Sequence, residues 1–246
     1  MPLVHSGDDL VTIIIEACAD SNEQLCDGDI LLLAQKIVSK SEGRSVCLAD
    51  VIPSNAALAL ATSSNKDPRL VEVILRESNE VIRQREGAII VENRQGVVLA
   101  NAGIDMSNVE QENGDTVLLL PKDPNLSCVR LKDEIRSRTG TKVGVVINDS
   151  LGRAFRNGTV GAAIGAAGVP TLVDLSSTQD LFGRPLRGTQ VAIADELAAA
   201  ASLLMGQADE GQPIVLLRGF PCDGETGTAQ DLIRTKGQDL FREPKQ

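Results

Sequence analysis

The chain has 246 residues, enough for one large core or two modest ones, and its 42% hydrophobic and 24% charged content is ordinary for a globular protein. A formal charge of −10, four Phe and no Tyr or Trp exclude the basic footprint and stacking platforms of nucleic-acid binding, and offer nothing to an anionic membrane. Five cysteines (Cys18, Cys26, Cys47, Cys128, Cys222) without a CxxC pair exclude a disulfide framework or zinc site written in the spacing, and point to a reducing cytoplasm.

In chain order, Met1 to Val4 reads as the tail of a strand, and Ser6 to Asp9 as a helix start with Leu10, Ile13, Ile14 and Ala17 on one face. Asp27-Gly28-Asp29 is a turn before an apolar strand, Ile30 to Ala34. Gln35 to Arg44 then carries Lys36 and Lys40, either a solvated loop or two point charges for phosphates. Asp67-Pro68 signals a helix with Leu70, Val71 and Ile74 buried. Ala88 to Val91 and Val97 to Ala100 read as a hairpin. It runs into Asn101 to Asn108, where Asp105 is either an Asx-turn residue or a second acid beyond a strand end. Thr116 to Leu120 is a buried strand, and Cys128 to Thr139 an amphipathic helix stopped by Gly140.

Val143 to Ile147 is an uncharged β-branched run, as in a strand buried on both faces, and it is expected to stop at Asn148-Asp149-Ser150. An acid and a hydroxyl at a sheet rim suit a hard divalent cation, and Arg153 and Arg156 suit phosphate or carboxylate. The plainer reading is a tight turn with solvated arginines. Gly158, Gly161, Gly165 and Gly168 follow, where backbone can approach backbone or ligand closely. Thr171 to Leu175 and Pro213 to Leu217 read as strands, Leu197 to Met205 as a helix with Asp195 and Glu196 in its first turn, and the tail from Ala229 as helical. His5 is the sole histidine, so a Ser-His triad is not expected. No basic and apolar leader opens the sequence, so no signal peptide is expected, and the uncharged run Val160 to Val173 is too short and Gly-rich to span a bilayer. There is neither a GxxxxGK[ST] nor a GxGxxG loop, so a nucleotide site would be of another design.

VSKSEGR (Val38 to Arg44), NAGIDMSNVE (Asn101 to Glu110), NDSLGRAFRNG (Asn148 to Gly158), AIGAAG (Ala163 to Gly168), ADELAAAASLLMGQ (Ala194 to Gln207) and VLLRG (Val215 to Gly219) form an ordered set. In order and spacing this set resembles the coenzyme F-420-0:L-glutamate ligase family, the γ-glutamyl ligases of deazaflavin biosynthesis, across nearly the whole chain. The resemblance implies a single domain over residues 1–246 with a mixed-sheet, two-lobed α/β fold, assembled as an intertwined homodimer. It also implies GTP as co-substrate, Mg²⁺ or Mn²⁺ with K⁺ as cofactors, and L-glutamate and coenzyme F-420-0 as the other partners. By resemblance the metal positions are Asp105, Asp149, Ser150 and Gln207. The GTP positions are the Met1 to Val4 segment (Leu3 and Val4 above all), Gln35, Lys36, Lys40, Asn108, and the loop Gly206, Gln207, Ala208, Asp209, Glu210, Gly211, Gln212, Pro213. Family members usually have a strand ahead of the positions taken by Met1 to Val4, and threonine is common where Ser150 stands; either hydroxyl can ligate a metal.

The implied reaction fits the residues. A carboxylate must be phosphorylated before it can acylate an amine, and such a site needs metals and cations but no protein nucleophile. Arg153 and Arg156 are the candidates for the acyl-phosphate and substrate anions. The competing expectations are another nucleotide-dependent acid–amine ligase on the same scaffold, and a non-catalytic nucleotide- or metal-binding module.

Overall fold

In the computed structural model, which describes residues 1–111, 115–221, 226–239 and 241, helices and strands alternate along the chain. The first half comprises α1 (Leu10–Asp20), β1 (Ile30–Ala34), α2 (Gln35–Ser41), β2 (Ser45–Cys47), α3 (Asn55–Ser64), α4 (Pro68–Arg76), β3 (Ser78–Arg85), β4 (Ala88–Asn93) and β5 (Val98–Ala100). The second comprises β6 (Thr116–Leu118), α5 (Pro124–Thr139), β7 (Gly144–Arg153), β8 (Arg156–Ala167), β9 (Val173–Asp174), β10 (Gln190–Val191), α6 (Ile193–Met205) and β11 (Ile214–Leu217).

The main sheet is mixed, in the order β11-β1-β7-β8. Strands β1 and β7 run parallel, and β11 and β8 flank them antiparallel. Because side chains alternate along a strand, each central strand feeds two cores. Leu31, Leu33, Val145 and Ile147 pack with Ile14 of α1 and with Cys128 and Ile135 of α5. Ile30, Leu32 and Val146 pack on the other side with Leu197, Ala198 and Ala201 of α6. With helices on both faces no position is left for a charge, hence the uninterrupted apolar runs.

A further core lies between α3, α4 and the three-stranded sheet β3-β4-β5, where Ala57, Ala61, Val71, Ile74, Ile89 and Val91 meet. The helices there start on side-chain caps: Ser54 accepts from the Ala57 amide, and Asp67 accepts from the Arg69 amide ahead of Pro68. Among the described residues no helix is long and apolar enough to cross a membrane.

Several expectations need correction. The strand through Val143 to Ile147 does not stop at Asn148; β7 continues to Arg153 and turns at Phe155 into β8, so Asp149 and Ser150 lie within a strand. The continuation is held by β8, whose residues Ala162 and Gly161 pair with Asp149 and Ser150. The glycine-rich stretch is accordingly a strand. Its glycines serve close packing: a Cβ on Gly161 would stand 2.3 Å from the Ala198 carbonyl oxygen of α6, and one on Gly165 2.5 Å from that of Pro124 in α5. Gln35 to Ser41 is a helix and not a loop, because Ile37 and Val38 find a place in the core. Among the described residues Met1 to Val4 pairs with no strand, though Val4 is buried. The described part of the tail has only two short 3₁₀ turns, Ala229–Leu232 and Lys236–Gln238. Helix α3 and the mostly exposed strand β3 have no counterpart among the expected elements.

Candidate functional site

The site is built where β1 ends. Ala34 pairs with Asn148, and from Asp149 onward β7 has a partner on its β8 side only. Asp149 and Ser150 therefore stand beyond the carboxyl end of β1, at a rim on one side of an otherwise continuing strand. Helix α2 starts at once with Gln35 and Lys36, and so delivers an ammonium group to the same rim. Asn148 is buried, donates from Nδ2 to the Met205 sulfur at 3.4 Å and leaves Oδ1 without a partner.

Asp105 arrives from the loop after β5. That loop opens with Asn101, Ala102 and Gly103, all at positive φ, and Asp105 then forms an isolated bridge with Leu118. Its carboxylate accepts from the Ser107 amide at 2.8 Å and from the Ser107 hydroxyl at 3.0 Å, and pairs with Lys36 at 2.7 Å. Lys36 also donates to the Ser107 hydroxyl at 2.6 Å and to its carbonyl at 3.2 Å. Burial works against ionisation of Asp105, but the Lys36 and Ser107 donors prevail and hold its pKa below the ordinary carboxylate value. Asp149 goes the other way: burial first, then the charge of Asp105, push it up to about 6 against the Ser150 amide and Lys36.

Ser150 donates its hydroxyl to Gln207 Oε1 at 2.8 Å, which ties β7 to the loop after α6. Asn108 donates to the Ala208 carbonyl at 3.1 Å, so the same loop also meets the Asp105 loop. Glu210 folds back to accept from the Ala208 amide at 2.8 Å. These elements enclose a cavity of about 520 Å³. Leu3, Val4, Gln35, Lys36, Lys40, Asn108, Asp149, Ser150 and every residue of the Gly206 to Pro213 loop line it. Asp105 borders it through Lys36. Arg153 and Arg156 do not: they sit at the exposed tip of the β7–β8 hairpin, where Arg153 only approaches the Asn157 carbonyl at 3.5 Å. Ser107 escaped the sequence reading, although an Asp-x-Ser step in a polar turn is its signal.

Among the described residues no three His, Cys, Asp or Glu side chains cluster as a metal site. Asp105, Asp149, Ser150 and Gln207 instead offer two carboxylates, a hydroxyl and an amide, an all-oxygen set suited to a hard divalent cation. The raised Asp149 carboxyl fits such an ion, since a cation there removes the repulsion from Asp105.

A model of the F420-0:Gamma-glutamyl ligase family matches residues 1–219. The chain belongs to that family. Within the F420-0:gamma-glutamyl ligase family, it is 47% identical over 244 residues to the Coenzyme F420:L-glutamate ligase of Methanothermobacter thermautotrophicus, covering 98% of this chain and 96% of that one. It is 45% identical over 216 residues to the protein of that name from Methanocaldococcus jannaschii, covering 88% and 85%. To that from Methanopyrus kandleri it is 45% identical over 243 residues, covering 97% and 93%.

Proposed function

We propose that this protein is a GTP-dependent ligase that adds L-glutamate to coenzyme F-420-0 through an acyl phosphate. The observation that supports the reading is a cavity of about 520 Å³ lined by Asp149, Ser150 and Gln207, with Asp105 beside it through Lys36, in a member of this ligase family.

The substrate carboxylate attacks the γ-phosphorus of GTP, forming an acyl phosphate and releasing GDP. The amino group of glutamate then attacks the acyl carbon; the C–O bond to phosphate breaks, the amide forms, and inorganic phosphate and a proton leave. A further glutamate would join through the γ-carboxyl of the first. Asp105, Asp149, Ser150 and Gln207 would hold Mg²⁺ or Mn²⁺, which would neutralise phosphate charge, with K⁺ as a second requirement. Lys36, at the cavity wall, is placed to carry phosphate charge while it orients Asp105. The Gly206 to Pro213 loop closes one side of the cavity and limits water that would hydrolyse the acyl phosphate. Arg153 and Arg156, at the exposed hairpin tip outside the cavity, are left without a role in this reading.

The working unit in this reading is a cytoplasmic homodimer. Phe155, Leu181, Phe182 and Leu203, 85% to 100% exposed, are the apolar groups such an assembly would cover.

The test is product analysis with purified protein, GTP, Mn²⁺, L-glutamate and coenzyme F-420-0. GDP, phosphate and amide should appear in equal amounts. Release of pyrophosphate would mean nucleotidyl transfer and would overturn the mechanism.

A further inference from the structure

Past residue 219, where the family match ends, residues 226–239 run from the main sheet to the three-stranded sheet. The segment is first locked to the main sheet. Gly227 donates to the Val169 carbonyl at 3.1 Å. A Cβ on Gly227 would stand 2.1 Å from the Thr171 hydroxyl oxygen and 2.3 Å from Asp231 Oδ2, so the contact admits no side chain. Asp231 accepts from the Thr171 hydroxyl at 2.9 Å and from the Thr228 amide at 2.8 Å. Asn125 Oδ1 in α5 accepts from the Ala229 amide at 3.0 Å and from the Ala166 amide of β8 at 3.1 Å, which ties segment, helix and strand together. Leu232 then packs on the core beneath α6.

The other end of the segment grips the three-stranded sheet. Ile233 covers the turn between β4 and β5, where a Cβ on Gly96 would meet Ile233 Cδ1 at 3.6 Å. Three residues on, the Lys236 ammonium lies 3.3 Å from Glu80 and 3.4 Å from Glu92. Those glutamates are partners in register across β3 and β4, and like charges directly opposite destabilise a sheet. Glu92 is buried, so solvent screens the repulsion poorly, and the lysine brought by the segment offsets it. Strand β4 leads through the Gly96 turn into β5, and β5 leads into the loop that carries Asp105.

We propose that residues 227–238 are a clasp, with Lys236 as its catch, that holds the β4–β5 hairpin to the main sheet and so positions the Asp105 loop. Lys236 is a positioning residue: it lines no part of the cavity and acts through Glu80, Glu92 and the hairpin. Gln95, which donates to the Lys122 carbonyl at 3.0 Å, and Leu99, in the main-sheet core, hold the hairpin as well. Release of the clasp therefore loosens the loop without unfolding the chain. The part Asp105 plays in holding a metal rests on the ligase reading; the clasp does not.

Lys236→Met and Gly227→Val open the clasp at opposite ends, and Lys236→Arg keeps the charge. Amide hydrogen exchange is followed by mass spectrometry on the full chain, and Mn²⁺ is titrated calorimetrically with a non-hydrolysable GTP analogue present. Both opening variants should speed exchange in Asn101 to Asn108 by about fivefold or more, with β1 and β7 unchanged. Their Mn²⁺ dissociation constants should rise by about the same factor, as expected when a ligand-bearing loop loses its support. Lys236→Arg should match wild type in both measurements. Should Gly227→Val fail to fold, Lys236→Met decides alone. Exchange that quickens only in β3 and β4, or throughout the chain, overturns the positioning role, and so does unchanged Mn²⁺ affinity in the folded variants; each leaves the ligase reading standing. Faster loop exchange with weaker Mn²⁺ binding in a protein that forms no amide supports the clasp and removes the ligase reading.

Discussion

The ammonium of Lys36 stands 2.7 Å from Asp105 Oδ2, and this contact joins the first turn of α2 to the loop that follows β5. It explains why two neighbouring carboxylates behave differently. Asp105, with Lys36 and Ser107 as donors, is held ionised, whereas Asp149, with burial and the charge of Asp105 against it, is pushed up to about 6.

Asp105→Asn and Asp149→Asn keep size and remove charge. Each is expected to lower turnover by about 10³-fold or more, roughly 4 kcal/mol in the barrier, as loss of a main electrostatic stabiliser does. Raising Mn²⁺ should restore part of the rate and raising glutamate should not. Steady-state kinetics with calorimetric Mn²⁺ titration checks this; two folded variants with normal metal binding and near wild-type rate would refute the site.

Asp29 is 1% exposed and accepts two bonds from Arg218, at 2.8 Å each, and one from the Cys26 amide at 2.8 Å. The Arg218 donors hold its pKa below the ordinary carboxylate value of 3.8 despite burial, and the Cys26 amide adds to them. A carboxyl with a lowered folded pKa stabilises fully above its unfolded value and loses that contribution as pH falls through the folded one. Stability from this pair should therefore be whole above pH 3.8 and fade in acid below it. Arg218→Met should lower stability, because it leaves the buried Asp29 carboxylate without its two-bond partner. Urea denaturation at neutral and acid pH should show that loss and a flatter acid limb in the variant.

Gly161→Ala and Gly165→Ala each place a methyl group against a helix carbonyl that has no room for it. Overpacking of this kind costs about 1–3 kcal/mol. In calorimetry, Tm should fall by about 2–4 °C per kcal/mol in a chain of this size. Gly152→Ala has no heavy atom within 4 Å of the new Cβ and serves as the control, with little change expected.

Cys18 and Cys128 are buried, and burial pushes both thiols above their ordinary pKa, which makes them inert packing groups. Cys26 is exposed and Cys47 half-buried; Cys222 lies outside the described residues. Replacing all five by Ala should leave saturated turnover within about an order of magnitude of wild type if no thiol takes part in the chemistry. A larger loss in a variant with a native circular dichroism spectrum would reveal thiol chemistry.

Local chemistry made a large share of the fold legible. The apolar runs of β1 and β7 carry no charge because both faces are covered, and a residue-by-residue reading detects that. Asp67-Pro68 opens α4 and Gly140 closes α5, since a cap or a left-handed terminator acts on its immediate neighbours. Asp123 opens α5 four residues before the expected start by accepting from the Leu126 amide, a cap of the same kind that apolar periodicity alone overlooks.

Other features depend on partners distant in the chain. Strand β3 alternates half-buried and exposed residues and is defined by pairing with β4, and α2 is a helix because Ile37 and Val38 have a core to enter. β7 extends past Asp149 only because β8 returns alongside it, with an irregularity in register between Ile147 and Asn148. The sequence by itself determined the strands buried on both faces, the helix ends and the residue types of the candidate site, because those follow from burial and short-range bonding. Only the tertiary structure decided that the loop carrying Asp105 comes near enough for its charge to act on Asp149, that Arg153 and Arg156 stand away from the cavity, and that Lys40 and Glu110 line a second one. Those relations arise from the parallel pairing of β1 with β7 and from where the loops after β5 and α6 close, and neither is encoded within any short stretch of chain.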